Sequence, residues 1–388
     1  MSLTTPIRDK ATWLSYAQAT AFAWFVYGFG ATLPFLRTDL GLSRTAASLH
    51  SLSMGVGSVL AGLASSVIIM RLGRGMTLRT ASMIFAAGIS IYVFSHQIGF
   101  TLFGVALCTF SGSIIVQGTA AFLSHHHKLH APVTISELHA TAAGVGLFAP
   151  VLVGIGVTVG VGWRPAMLLA AVAICVIEFA RGKDVYSYGP PMSIEEDSIH
   201  HDSSGPLPSR FWFAWTAILC TAATEFSLLL WASDLLRIQG GLTKGASAAS
   251  LGCVVGGMFI GRMATARLSA RADVELLYRS SLIISLVGFL AFWSSHTALL
   301  MLIALVVTGC GVGGHFPLGL ARCMRASDGR PDRGSARMSI GAGLASGIAP
   351  FALGAMADHI GIHAAYAIVP ISLVIAIAIA TKVRVPAS

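Results

Sequence analysis

Glu225 is the residue of this sequence best placed to do chemistry. It stands midway along an apolar run, 211–237, within Thr221-Ala-Ala-Thr224-Glu225-Phe-Ser-Leu228. Read as a helix, the run sets Thr221, Thr224, Glu225 and Leu228 on one face, a narrow polar stripe in apolar surroundings. A carboxylate taken out of water favours its protonated form. Such a group can load and release a proton, or pair with the amine of a ligand. The plainer alternative is a protonated Glu bonded to a neighbouring helix, serving packing alone.

Other polar groups interrupt apolar runs in the same way. Glu137 and His139 open a run at Ser136-Glu137-Leu138-His139, a place where the helix dipole by itself favours an acid. His315 lies in Gly311-Val-Gly-Gly314-His-Phe-Pro317. Its imidazole can bind a ligand or relay a proton, or it can be a core histidine bonded to a freed carbonyl. Ser113 and Gln117 are one helical turn apart and offer a hydroxyl and an amide, to a ligand or to another helix. The run His125-His126-His127-Lys128-Leu129-His130 is dense enough to suggest a metal but has no carboxylate or cysteine beside it. It reads as a solvated loop, and no metal site is expected.

The elements that must hold these groups are membrane helices. Of 388 residues, 55% are hydrophobic and 11% charged, against about 25% charged in soluble domains. The mean hydropathy of +0.77 agrees. The formal charge of +9 does not indicate nucleic-acid binding, because the cations stand at the ends of apolar runs. Cys108, Cys175, Cys220, Cys253, Cys310 and Cys323 show no paired spacing for disulfides or zinc. The first run begins near Trp13 without a small-residue cleavage site, so it is expected to be retained.

Twelve runs are long enough to cross a bilayer: 12–36, 44–70, 77–96, 98–123, 133–160, 163–181, 211–237, 244–266, 275–295, 297–322, 335–358 and 362–381. Their length and even apolarity select helices over barrel strands. Trp13, Trp163, Trp212 and Trp215 near their ends read as interface anchors. With both termini on the cytoplasmic side, 20 of the 25 Lys and Arg residues fall on the inner face. Arg262 is counted among them, and no mid-membrane arginine stands out. The cation bias predicts both ends inside a bacterial inner membrane.

The stretch between Arg181 and Arg210 is polar and broken by Pro and Gly, the composition of a linker. On either side of it, landmarks recur at one offset of 200: Leu40-Gly41-Leu42-Ser43 with Gly240-Gly241-Leu242-Thr243, Arg37 with Arg237, Gly57 with Gly257, Arg71 with Arg271, and Ala149-Pro150 with Ala349-Pro350. This predicts a half at 1–181, a cytoplasmic linker at 182–210 and a second half at 211–388. Six helices per half make the repeats parallel, with a ligand between them near mid-membrane. Pro150 and Pro350 are expected bending points.

With these residues, the chain resembles the major facilitator superfamily over nearly its whole length. Gly30-Ala-Thr-Leu-Pro-Phe-Leu, Arg71-Leu-Gly-Arg74, Gly146-Leu-Phe-Ala-Pro150 with Gly162-Trp-Arg164, Gly261-Arg262 and Gly347-Ile-Ala-Pro350 carry the resemblance. The acid expected before Arg71 is Met70, and Ala270 in the repeat; the arginine common in the fourth helix is not evident near Ala106-Leu107. The resemblance implies a cavity between helices 1, 4, 7 and 10. It would be walled by Trp24, Tyr27 and Trp231 and furnished by Ser113, Gln117, Thr221, Thr224 and His315. It also implies gating by Arg71, Arg262, Arg271, Glu137 and Arg337, with Glu137 meeting Arg262 when the inner side closes.

These readings predict an all-α integral membrane protein of twelve transmembrane helices in two pseudo-symmetric six-helix halves. Its expected function is secondary active transport by alternating access. The first expectation is proton-coupled efflux of a neutral or cationic amphipathic compound, with Glu225, Glu137 and His315 as candidate proton carriers. The alternatives are uptake of a small nutrient such as a sugar, and a non-transporting receptor of the same shape. The expected partners are a small molecule, protons and lipid, with one chain sufficing as a monomer. No Walker motif or hydrolase constellation is present, so neither an enzyme nor a cofactor is expected.

Overall fold

The computed structural model describes residues 7–184, 188, 207–269, 271–328 and 331–382. Most of the expected linker, 182–210, lies outside the described residues. Every regular element among the described residues is helical. The first half comprises α1 (Lys10–Asp39), α2 (Arg44–Leu72), α3 (Arg74–Phe94), α4 (Ile98–His127), α5 (Ala131–Gly146), α6 (Phe148–Thr158) and α7 (Arg164–Arg181). The second comprises α8 (Ser209–Gln239), α9 (Lys244–Ala249), α10 (Leu251–Leu268), α11 (Val274–Ser294), α12 (Ala298–Ala326), α13 (Pro331–Ile360), α14 (Ile362–Ala365) and α15 (Ile368–Lys382). The pairs α5–α6, α9–α10 and α14–α15 are single rods with short interruptions, so the elements form twelve rods.

Eleven rods are long and apolar enough to cross a membrane. The exception is α7, which carries Arg164, Glu178 and Arg181 within 18 residues. These charges find partners inside the protein: Glu178 meets Arg79 at 3.5 Å and Arg181 at 3.4 Å, and accepts from Gln18 at 3.0 Å. The two interrupting prolines behave differently. At Pro150 the rod breaks three residues upstream, at Leu147, whereas α13 runs on through Pro350.

The offset of 200 is repeated in local structure. Ser43 and Thr243 cap the helices they precede by accepting from the amides of Ala46 and Ala246, at 3.0 and 3.3 Å. Gly41 and Gly241 both turn the chain with positive φ, 63° and 67°. A Cβ on Gly57 would collide with the Ala106 carbonyl, and one on Gly257 with the Val306 carbonyl. The α2–α4 crossing is therefore rebuilt at α10–α12 with the same register.

We call the side holding the start of α1 and the end of α15 the near face and the side holding the α1–α2 turn the far face. Toward the far face the halves interlock through small residues. Gly30 on α1 lies so close to the Leu229 carbonyl on α8 that no side chain fits between them. Gly154 on α6 abuts the Gly245 carbonyl and Ala249 on α9 in the same way. Ser51 on α2 donates to the Gly347 carbonyl on α13 at 2.9 Å. Gly30→Ala should overpack the α1–α8 crossing and cost about 1–3 kcal/mol. Thermal unfolding in detergent should register this as a lowered midpoint, and an unchanged midpoint would mean the crossing yields freely.

Candidate functional site

Charge closes the far face. Asp234, near the end of α8 and 2% exposed, accepts from Arg37 on α1 at 2.8 Å and from Arg44 on α2 at 3.3 Å. Asp358 on α13 accepts from the Arg44 and Thr45 amides, at 3.1 and 2.7 Å, and from the Thr45 hydroxyl at 2.7 Å. Each of these contacts joins one half to the other. The space left among Pro34, Thr38, Ser233, Asp234 and Lys244 is ≈ 10 Å³, room for one water at most.

The near face is arranged differently. Among the described residues its ion pairs stay within a half: Arg8 with Glu137 at 2.5 Å, His126 with Asp9 at 2.9 Å, and Arg322 with Glu275 at 2.6 Å. Arg210 pairs with Asp328 in the second half. Asp9 caps α1. Burial pushes its carboxyl up, but hydrogen bonds from the Thr12 hydroxyl and amide, with His126 beside it, hold it below the usual carboxylate range. Among the described residues, the ion pairs that join one half to the other therefore lie at the far face, with the Arg262–Tyr27 hydrogen bond joining them at the Glu225–Arg262 pair.

At mid-depth, a charged pair of the second half meets the first half through Tyr27. Glu225 is sixteen residues into α8, and its carboxylate lies 3.8 Å from the Arg262 guanidinium on α10. The Arg262 Nη1 donates to the Tyr27 hydroxyl on α1 at 3.1 Å, crossing from one half to the other. The side chains of Glu225 and Arg262 remain 16% and 25% exposed, so solvent space reaches them. His139 on α5 is exposed and within electrostatic range of Arg262. This corrects the sequence reading of Arg262 as an inner-face cation. Its backbone is six residues from the end of α10, about 9 Å along the axis, and the long side chain reaches back into the bundle.

The remaining candidates fall into two groups. Tyr27 joins the central pair, and Thr221 and Thr224 share the helix of Glu225. Both threonine hydroxyls bond back to their own helix, at Ile218 and Cys220. His315 stands apart from the pair. It is 1% exposed, and its Nε2 lies 3.0 Å from the Ser285 hydroxyl on α11, inside the second half. Trp231 is also buried, its indole N–H donating to the Pro350 carbonyl at 2.9 Å. Trp24 donates to the Ala166 carbonyl at 2.8 Å. Gln117 accepts from Ser65 at 3.1 Å, and Ser113 donates to Ser58 at 3.4 Å, so both side chains tie α4 to α2.

Glu137 is occupied by Arg8 and by the Tyr16 hydroxyl at 2.9 Å, not by Arg262. Arg71 and Arg271 are exposed and make no side-chain ion pair among the described residues. Arg337 is exposed and its carbonyl accepts from Trp215 at 2.9 Å. No group of three metal-ligating side chains occurs among the described residues. Sequence reasoning missed Asp234 and Asp358. Their signal was present: acids at the far ends of apolar runs, opposite Arg37 and Arg44 across the loop.

The sequence profile of the Major Facilitator Superfamily matches residues 16–327 and 214–388. The chain belongs to that family of secondary transporters. No curated protein matches it in sequence. Among solved structures it is similar to a bacterial homolog of the human lysosomal transporter Spinster, in an inward-facing and occupied conformation, with a TM-score of 0.71 at 12% identity. That match covers 97% of this chain and 96% of the other. It is also similar to the transporter FucP in the outward conformation, with a TM-score of 0.63 at 13% identity, covering 96% and 98%. A further match is a variant of the E. coli fucose:proton symporter FucP, with a TM-score of 0.63 at 12% identity, covering 96% and 98%. At these identities the likeness is one of fold.

Removing one partner of a buried charge cluster strands the others, at about 3–5 kcal/mol. Asp234→Asn should therefore loosen the far face. In a background with the six native cysteines replaced by serine, a Ser233→Cys probe should react with a maleimide at least about tenfold faster once Asp234 is neutralised. An unchanged rate would show that Asp234 does not hold this face shut.

Proposed function

We propose that this protein is a proton-coupled secondary transporter that works by alternating access, with Glu225 as the proton carrier. The carrying observation is the pair of Glu225 and Arg262: two opposite charges 3.8 Å apart at mid-depth, between the halves, both open to solvent space. Ionisable groups are costly inside a membrane and are retained where they act. A carboxylate whose partner is loosely held can exchange protons with the open side, and rocking of the halves then presents it to the other.

In this reading the near face is the cytoplasmic face of a bacterial inner membrane, as the cation bias supports. The described state is then the inward-facing one. The rocking bodies are 1–181 and 211–388, joined through 182–210, and a single chain suffices. Closing the near side would bring α5 toward α10. Glu137 could then exchange Arg8 for Arg262 and contribute to the inner gate.

The preference for a neutral or cationic cargo rested on finding no mid-membrane arginine, and Arg262 removes that ground. The experiment is a thermal-shift screen of a compound library on purified protein, wild type beside Glu225→Gln, at one pH below and one above neutrality. A ligand that stabilises the wild type with a pH dependence absent from the variant supports Glu225 as the coupled site. Ligands that bind both proteins alike at both pH values would reduce Glu225 to a packing residue.

A further inference from the structure

We propose that the cargo carries a carboxylate, that it binds Arg262 in place of Glu225, and that anion and proton therefore cross together in the same direction. The proposal rests on Glu225 being the proton carrier and adds the substrate class and the sign of coupling.

The argument begins with how poorly Arg262 is satisfied. A guanidinium is charged at every relevant pH and presents five N–H donors in a planar fork. Among the described residues, Arg262 makes one hydrogen bond, to Tyr27, and one ion pair, to Glu225. At 3.8 Å the second is not a hydrogen bond; charge-assisted ones run about 2.7–2.9 Å. Other arginines in this protein hold carboxylates closely: Arg37 with Asp234 at 2.8 Å, Arg164 with Asp39 at 2.9 Å, Arg322 with Glu275 at 2.6 Å. Those pairs meet at hydrogen-bonding distance, whereas Arg262 holds its carboxylate only at 3.8 Å and its side chain remains 25% exposed. A planar carboxylate is the ligand that such a fork takes in bidentate fashion.

Linkage fixes the sign. With Glu225 ionised, the pair is neutral and its carboxylate repels an incoming anion. With Glu225 protonated, Arg262 is left with an uncompensated charge in a site only partly reached by solvent, and an anion restores neutrality. Proton and anion thus bind cooperatively, by the same factor in both directions. The balance is simple: the Glu225 carboxylate gains one proton, and the cargo carboxylate takes over the guanidinium. A cationic cargo would face the opposite situation, competing with Arg262 for Glu225 while sitting beside its charge. Cooperative binding of two ligands from one side means symport, so with the near face cytoplasmic a proton gradient directed inward drives uptake.

The surroundings are consistent with a small organic acid. Phe259, one turn before Arg262 on α10, packs toward Gly144 on α5, and the Tyr27 ring lies over Gly146. The titratable and charged groups facing the pair are few. Arg262 reaches Glu225 from α10, with Tyr27 of α1 and His139 of α5 behind it. On α12, His315 is turned to Ser285 and Arg322 to Glu275; on α13, Asp358 is engaged by Arg44 and Thr45 at the far face. Among the described residues, His139 is another titratable group coupled to Arg262, and it needs its own control.

The test measures thermal stabilisation of the purified full chain by matched acids and amides: propionate with propionamide, benzoate with benzamide, succinate with succinamide. Wild type, Glu225→Gln, Arg262→Gln, Arg262→Lys and His139→Gln are compared below and above neutral pH. Acids should stabilise the wild type and amides should not, with affinity at least about tenfold tighter at the acid pH. Glu225→Gln should bind acids at both pH values as the wild type does when acidic. Arg262→Gln should lose the preference for acids, Arg262→Lys should retain part of it, and His139→Gln should keep the pH dependence. Amides binding as well as acids, acid binding undiminished in Arg262→Gln, tightening with rising pH, or no binding by any acid would overturn the proposal. If neutral compounds show the Glu225-linked pH dependence instead, the proton carrier stands and only the substrate class falls. If acids need Arg262 but show no pH dependence, the class stands and the coupling falls.

Discussion

A charge inside a bilayer must be answered by the protein, because lipid offers it nothing. This constraint organises the whole structure. Glu178 is met by Arg79, Arg181 and Gln18, so that α7 can carry its charges within the bundle. Arg322 lies over the Tyr278 ring and against Glu275. Asp234 gathers Arg37 and Arg44 and thereby draws three helices together. Such pairs hold shape. The pair of Glu225 and Arg262 meets the constraint at 3.8 Å, with both side chains partly exposed.

The second constraint is close backbone approach. Helices in lipid gain little from apolar side chains alone, so small residues at the crossings supply the packing. Gly57 against α4 and Gly257 against α12 make each half rigid by the same device. Gly30 against Leu229, Gly154 against Gly245 and Gly55 against Gly343 bring the halves together through small residues. Between these crossings, Arg262 and Tyr27 add a polar contact from one half to the other.

Much of this was legible in the chain itself. The helices follow from apolar run length, the duplicated halves from landmarks at one offset, and Glu225 from being an acid in the middle of a run. Its partner was not legible. Arg262 stands six residues from the end of its helix, which in sequence reads as an interface cation. A long side chain pointing back along the helix, and the approach of α10 to α8, carry its charge to mid-depth. His315 misled in the opposite sense: its position in a glycine-rich run suggested a cavity, yet its ring is turned toward Ser285.

By itself the sequence determined the bilayer as solvent, the number of crossings, the repeat and the rarity of buried acids, since these depend on composition and spacing along one chain. Which charges meet was decided only by the tertiary structure. Asp234 and Arg37 are 197 residues apart, as are Asp358 and Arg44 by 314, and the packing of the two halves sets those distances. The pairing of Arg262 with Glu225 and Tyr27 is of the same kind. Helix spacing is local physics, but the partner of a charge depends on how whole helices are rotated and tilted against each other.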